Sequence, residues 1–101
     1  MLRQSGVIPY RQGAGGVEIM LITSTNTGRW QVPKGMLEPG LTAVESAEQE
    51  GFEEAGVFGQ AHEEAIFAYR YRKSGRWPAR VDLYPMPVSP TESCYSSTLF
   101  E

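Results

Sequence analysis

The sequence predicts an α+β domain in which a handful of short strands surround one helix. Three observations predict it. A chain of 101 residues, 41% of them hydrophobic, suffices for one domain with a modest core. Apolar residues alternate or run continuously in short segments on both sides of a single stretch with helical period. Glycine and proline clusters separate these segments at turn-like intervals.

From the N-terminus, Ser5 to Gln12 contains Val7, Ile8 and Tyr10 and reads as a short strand. Pro9 removes a backbone donor, which places it at an edge or a bulge. Gly13, Gly15 and Gly16 turn the chain; they lack the spacing of a phosphate-cradling loop and read as a hairpin turn. Val17 to Thr23 is apolar on both faces apart from Glu18, as expected of a central strand covered on two sides. Ser24 to Gly28 is a polar turn. Trp30 and Val32 suggest a brief strand leading to Pro33, Lys34 and Gly35.

The helix is predicted between Thr42 and Gly56. Thr42 followed three residues later by Glu45 is a capping box, and Gly56 is the stop. Val44, Ala47, Gly51 and Ala55 recur at helical spacing and face the core. Glu50, Glu53 and Glu54 lie beside that stripe. At about 100° per residue, positions i, i+3 and i+4 share a face, so the three carboxylates converge at the edge of the packing. There they repel, so that either their pKa values rise or a cation neutralises them. A solvated acidic helix face is the alternative.

Beyond the helix, Phe67, Tyr69 and Tyr71 alternate with Ala68, Arg70 and Arg72, and Ala79, Val81 and Leu83 alternate on a return strand. This is a hairpin with an aromatic face, assigned to the core, and a basic face. His62 reads as a surface residue. The last segment, Ser89 to Glu101, is rich in Ser and Thr and shows neither period. The expected division is a domain over 1–88 and a tail over 89–101.

No apolar run approaches the length that spans a bilayer, and the start lacks a signal-peptide core, so the expectation is a cytoplasmic protein without a membrane partner. Cys94, the only cysteine, fits a reducing compartment. Net charge of −3 argues against a nucleic-acid partner. The charge is segregated, with glutamates from Glu38 to Glu64 and then Arg70, Arg72, Lys73, Arg76 and Arg80. An acidic metal cluster beside a basic hairpin suits a metal-bridged polyphosphate; an ordinary charged hairpin surface is the alternative.

The stretch Gly35 to Val57 resembles the Nudix box, whose pattern runs Gly, five residues, Glu, seven residues, Arg-Glu-aliphatic-x-Glu-Glu-x-Gly-aliphatic. Gly35, Glu50, Glu53, Glu54, Gly56 and Val57 match it. Leu41 stands where the pattern has its first Glu, Gln49 where it has Arg, and Gly51 where it has a larger apolar residue. In the family that Glu and Arg brace the loop against the helix, so losing both removes a pair without stranding a charge. Gly51 costs about 1 kcal/mol of helix propensity relative to Ala.

The resemblance implies the Nudix fold, a mixed β-sheet in an α/β/α sandwich, here with its C-terminal helix missing and a homodimer expected to cover the exposed sheet. It implies hydrolysis of a pyrophosphate bond in a nucleoside diphosphate derivative or a related dinucleoside or diphosphoinositol polyphosphate. Glu50, Glu53, Glu54 and the Lys34 carbonyl would bind Mg²⁺ or Mn²⁺, hard cations that prefer oxygen, and Glu53 or Glu54 would act on the attacking water. Glu63, Glu64 and Asp82 are candidates for an additional carboxylate. Lys34, Arg70 and Arg72 would hold phosphates. The competing reading is a catalytically silent Nudix-fold module that binds a nucleotide or a protein.

Overall fold

The computed structural model describes residues 1–24 and 27–89, and the backbone alone of 98–100. Strand β1, Leu2–Gly13, turns directly into β2, Gly16–Thr23. Two short strands follow, β3 at Trp30–Gln31 and β4 at Lys34–Met36. Helix α1 spans Ala43–Ala55. The chain continues into a hairpin of β5, Phe67–Lys73, and β6, Trp77–Pro87, and into β7, Thr98–Phe100. The strand order is β3-β2-β1-β6-β5, with β4 paired to β1 and β7 to β2. Among the described residues only β1 and β6 run parallel, which makes the sheet mixed and the class α+β. Part of the expected tail thus joins the sheet at 98–100. Residues 90–97, with Cys94 and the question of a C-terminal helix, lie outside the described residues.

The helix begins and ends as its sequence dictates. Thr42 accepts the Glu45 N–H through its side chain, Glu45 returns the bond to the Thr42 N–H, and Gly56 closes the helix in the left-handed region at φ 69°. Its buried residues are Ser46, Ala47, Gly51 and Ala55. Small side chains let the helix lie close to the sheet. A Cβ on Gly51 would stand 2.9 Å from Val7 Cγ2 and 3.5 Å from Met86 Cε. The core beneath joins Val7, Met20, Ile22, Ala47, Ala55, Val57, Tyr84 and Met86.

Three expectations change in the fold. Pro9 is fully buried within β1 rather than at a sheet edge. It is tolerated because β4 pairs only with 4–6 and β2 only from Tyr10 onward, which leaves a local gap in the ladder at Pro9. Strand β2 is covered on one face, not two: Met20 and Ile22 are buried, while Val17 is 62% exposed. Glu18 shares the buried face and is matched there by Arg11 at 2.8 Å. The aromatic face of β5 is not core either, since β5 is the edge strand and Phe67 is 57% exposed. Ala79, Val81 and Leu83 of β6, one strand inward, are the buried residues there.

Gly51→Ala sets a propensity gain of about 1 kcal/mol against an overpacking cost of about 1–3 kcal/mol. The expected outcome is a net loss on the order of 1 kcal/mol in urea unfolding, and a more stable variant would refute the close helix–sheet contact.

Candidate active site

Strand β4 divides two chemistries. Its three residues pair with β1 as Gln4 with Met36, Ser5 with Gly35 and Gly6 with Lys34. Side chains alternate across a strand, so Gly35 faces the helix while Lys34 and Met36 face away from it. The absent side chain of Gly35 makes room for α1, because a Cβ there would collide with the Glu50 carboxylate. Glu54, one turn on, accepts the Lys34 N–H through Oε1 at 2.8 Å. Glu50 and Glu54 are thereby brought onto the backbone of Lys34 and Gly35.

Glu53 is not brought with them. Its Oε1 accepts from Gln49 Nε2 at 2.8 Å on the exposed side of the helix. Among the described residues no three Asp, Glu, His or Cys side chains are gathered closely enough to hold a metal ion. Gln49, at the position where the Nudix pattern has Arg, therefore still orients a box glutamate, with an amide in place of a charge.

The charges remain concentrated. Burial, then the like charges of Glu54, Glu53 and Glu38, push the Glu50 carboxyl up to about 7 against the opposing pull of Lys34. Burial also raises Glu54, offset by the Lys34 N–H and the Lys34 charge. Glu38 was not singled out by its sequence; its loop is tied to the helix by a 3.0 Å bond from the Glu38 N–H to Ser46 Oγ. Ser5, the strand partner of Gly35, is fully buried, and its Oγ has no partner among the described residues. Hard oxygen donors under mutual repulsion, beside an unsatisfied hydroxyl, fit a divalent cation such as Mg²⁺ or Mn²⁺.

Across β4 lies a cleft of about 710 Å³, lined among others by Gln4, Lys34, Gly35, Glu54, Tyr71 and Lys73. Lys34 Nζ stands 3.1 Å from the Tyr71 hydroxyl and 4.7 Å from the centre of that ring. Tyr71 in turn donates to Gln4 Oε1 at 2.7 Å. Arg70 and Arg72 sit on the opposite face of β5 from Tyr71, and neither lines the cleft; the cation that β5 does contribute is Lys73. Asp82 is engaged by Arg3 at 3.2 Å and Arg80 at 3.1 Å. Glu63 and Glu64 are exposed outside the cleft, and His62 meets the Tyr10 hydroxyl at 3.1 Å. Gln4, Tyr71 and Lys73 carry no motif, and only strand register brings them together.

The NUDIX domain family model matches residues 2–92. No curated protein sequence matches the chain. Among solved structures, an Ap4A hydrolase of C. elegans superposes with a TM-score of 0.86 at 24% identity, over 99% of this chain and 79% of that one. A NUDIX-family hydrolase from Clostridium perfringens gives 0.81 at 10% identity, over 98% and 79%. The NUDIX domain of Shewanella oneidensis NrtR, complexed with ADP ribose, gives 0.78 at 13% identity, over 99% and 71%. At these identities the likenesses establish the fold.

The raised Glu50 pKa has a sign that can be tested. A carboxyl raised on folding contributes stability that is fully present below about 4.5 and is lost as pH rises through about 7. Glu50→Gln should therefore stabilise the metal-free protein at about pH 8, on the order of 1 kcal/mol after allowance for solvent screening. The gain should vanish near pH 4.5 in thermal melts.

Proposed function

The chain belongs to the Nudix family, and from that premise we propose that it is a metal-dependent hydrolase of pyrophosphate bonds. Its substrate class is a nucleoside diphosphate derivative or a related polyphosphate, with dinucleoside and diphosphoinositol polyphosphates as the leading members. The observation that carries the reading is the meeting of Glu50 and Glu54 on the Lys34–Gly35 backbone, with Glu54 also lining the cleft that holds the Lys34 ammonium. The likeness to an enzyme named for Ap4A supports the dinucleoside class.

Glu50, Glu54 and the Lys34 carbonyl would hold Mg²⁺ or Mn²⁺, with Glu53 joining when it exchanges Gln49 for the ion. When bound, such an ion neutralises phosphate charge and lowers the pKa of an attacking water. Glu54 or Glu53 takes the proton of that water as its oxygen bonds to phosphorus. The bridging P–O bond breaks, and its electron pair leaves with the departing phosphate. Lys34 and, further along the cleft, Lys73 offset the charge of the remaining phosphates, the task first expected of Arg70 and Arg72.

A second reading, a silent module that binds a nucleotide, is favoured by one observation: Glu53 is turned onto Gln49. The two separate in one assay. Phosphate release is measured with Mg²⁺ or Mn²⁺ from nucleoside triphosphates, nucleotide sugars, dinucleoside polyphosphates and diphosphoinositol polyphosphates, with Glu54→Gln alongside. Metal-dependent turnover that falls about 100-fold or more in the variant is expected. A folded protein that binds members of the panel and turns none over would overturn the hydrolase and leave the module.

A further inference from the structure

We infer that Gln4 is a positioning residue that, through the Tyr71 hydroxyl, aims the Lys34 ammonium into the cleft. The inference deepens the hydrolase reading, because it names what holds the cation proposed to meet the substrate's phosphates.

The hydrogen-bond directions follow from the donors available. An ammonium has hydrogens to give and no lone pair to receive with. At 3.1 Å, Lys34 Nζ must therefore donate to the Tyr71 oxygen, and the phenol hydrogen must go elsewhere. The atom 2.7 Å away is Gln4 Oε1, the carbonyl end of the amide. The amide nitrogen is then directed to Met36 Sδ at 3.6 Å, a weak acceptor. The chain runs in one direction, from lysine through phenol to carboxamide. Each link polarises the next, and a lone pair of the phenol oxygen is fixed on the ammonium.

Burial makes the arrangement specific to Gln4. The residue is 2% exposed, and burying an amide is unfavourable unless it is partnered. Among the described residues its one strong partner is Tyr71. Without the carbonyl the phenol hydrogen is free to rotate toward the cleft, where it competes with Lys34 for the same direction. The ammonium would then keep only its contact with the ring face. The three residues come from β1, β4 and β5, so the relay also ties the edge hairpin to the strand beneath the helix carboxylates.

The test uses the full chain with ¹⁵N-labelled lysine, the Lys34 ammonium signal being assigned by its loss in Lys34→Arg. Gln4→Met keeps the size and removes the acceptor, Gln4→Glu keeps the acceptor, and Tyr71→Phe removes the middle link. Hydrogen exchange at the Lys34 ammonium should be slowed in the wild type and accelerate about 5–10-fold in Gln4→Met and in Tyr71→Phe. It should rise no further in the double variant, and Gln4→Glu should stay near the wild type. Inorganic tripolyphosphate should bind Gln4→Met about 5-fold more weakly, and any hydrolysis should change in KM more than in kcat.

Wild-type exchange at the ammonium of Gln4→Met, additive effects of the two substitutions, or a Gln4→Glu that behaves like Gln4→Met would each overturn the inference. Should Gln4→Met not fold, Gln4→Asn, a polar residue too short to reach Tyr71, replaces it with the same expectations. Slowed exchange that depends on Gln4 in a protein without turnover would fail the hydrolase reading alone.

Discussion

The missing side chains of Gly51 and Gly35 are what the rest of the structure depends on. Each lies where helix and sheet come closest, Gly51 over Val7 of β1 and Gly35 under Glu50 of the helix. A helix held further from the sheet would leave its glutamates in solvent, where their repulsion is screened and has little consequence. Because it rests on the strands, one turn of α1 puts small residues into the core and carboxylates against the backbone of β4. Packing and chemistry are thus two faces of one contact, and the propensity lost at Gly51 is offset by the burial it permits.

That contact concentrates negative charge where water is scarce. Glu50 carries most of the consequence, with its carboxyl pushed to about 7 by burial first and by its neighbours second. Lys34 tempers this from the other side of β4: its amide bonds Glu54, and its charge is anchored at Tyr71. The three-residue strand backs onto Glu50 on one side and carries Lys34 into the cleft on the other, and Glu54 reaches that cleft as well. A ligand that carries both a divalent cation and phosphates matches that polarity.

Two of the three departures from the box pattern, Leu41 and Gln49, have different outcomes. Leu41 lines a shallow groove of mixed character, with Phe52, Val57 and Phe58 beside Glu45 and Glu48. Gln49 lines the same groove and also holds Glu53. A neutral amide orients Glu53 and turns it along the helix rather than toward Gly35. The loop keeps a separate anchor in the bond from the Glu38 N–H to Ser46, so its position does not require the lost pair.

The sequence by itself determined the helix with both of its ends, the class and the family, because capping, helical period and box spacing are local and each residue carries its own signal. Tertiary structure decided which faces are buried and which groups meet. Pro9 lies inside the sheet because its neighbours leave a gap, and Phe67 is exposed because β5 is an edge, and neither fact is encoded within the strand concerned. The approach of Gln4, Lys34 and Tyr71 depends on register between strands far apart in the chain. A shift of one residue would reverse every facing, so their partnership is a property of the assembled sheet.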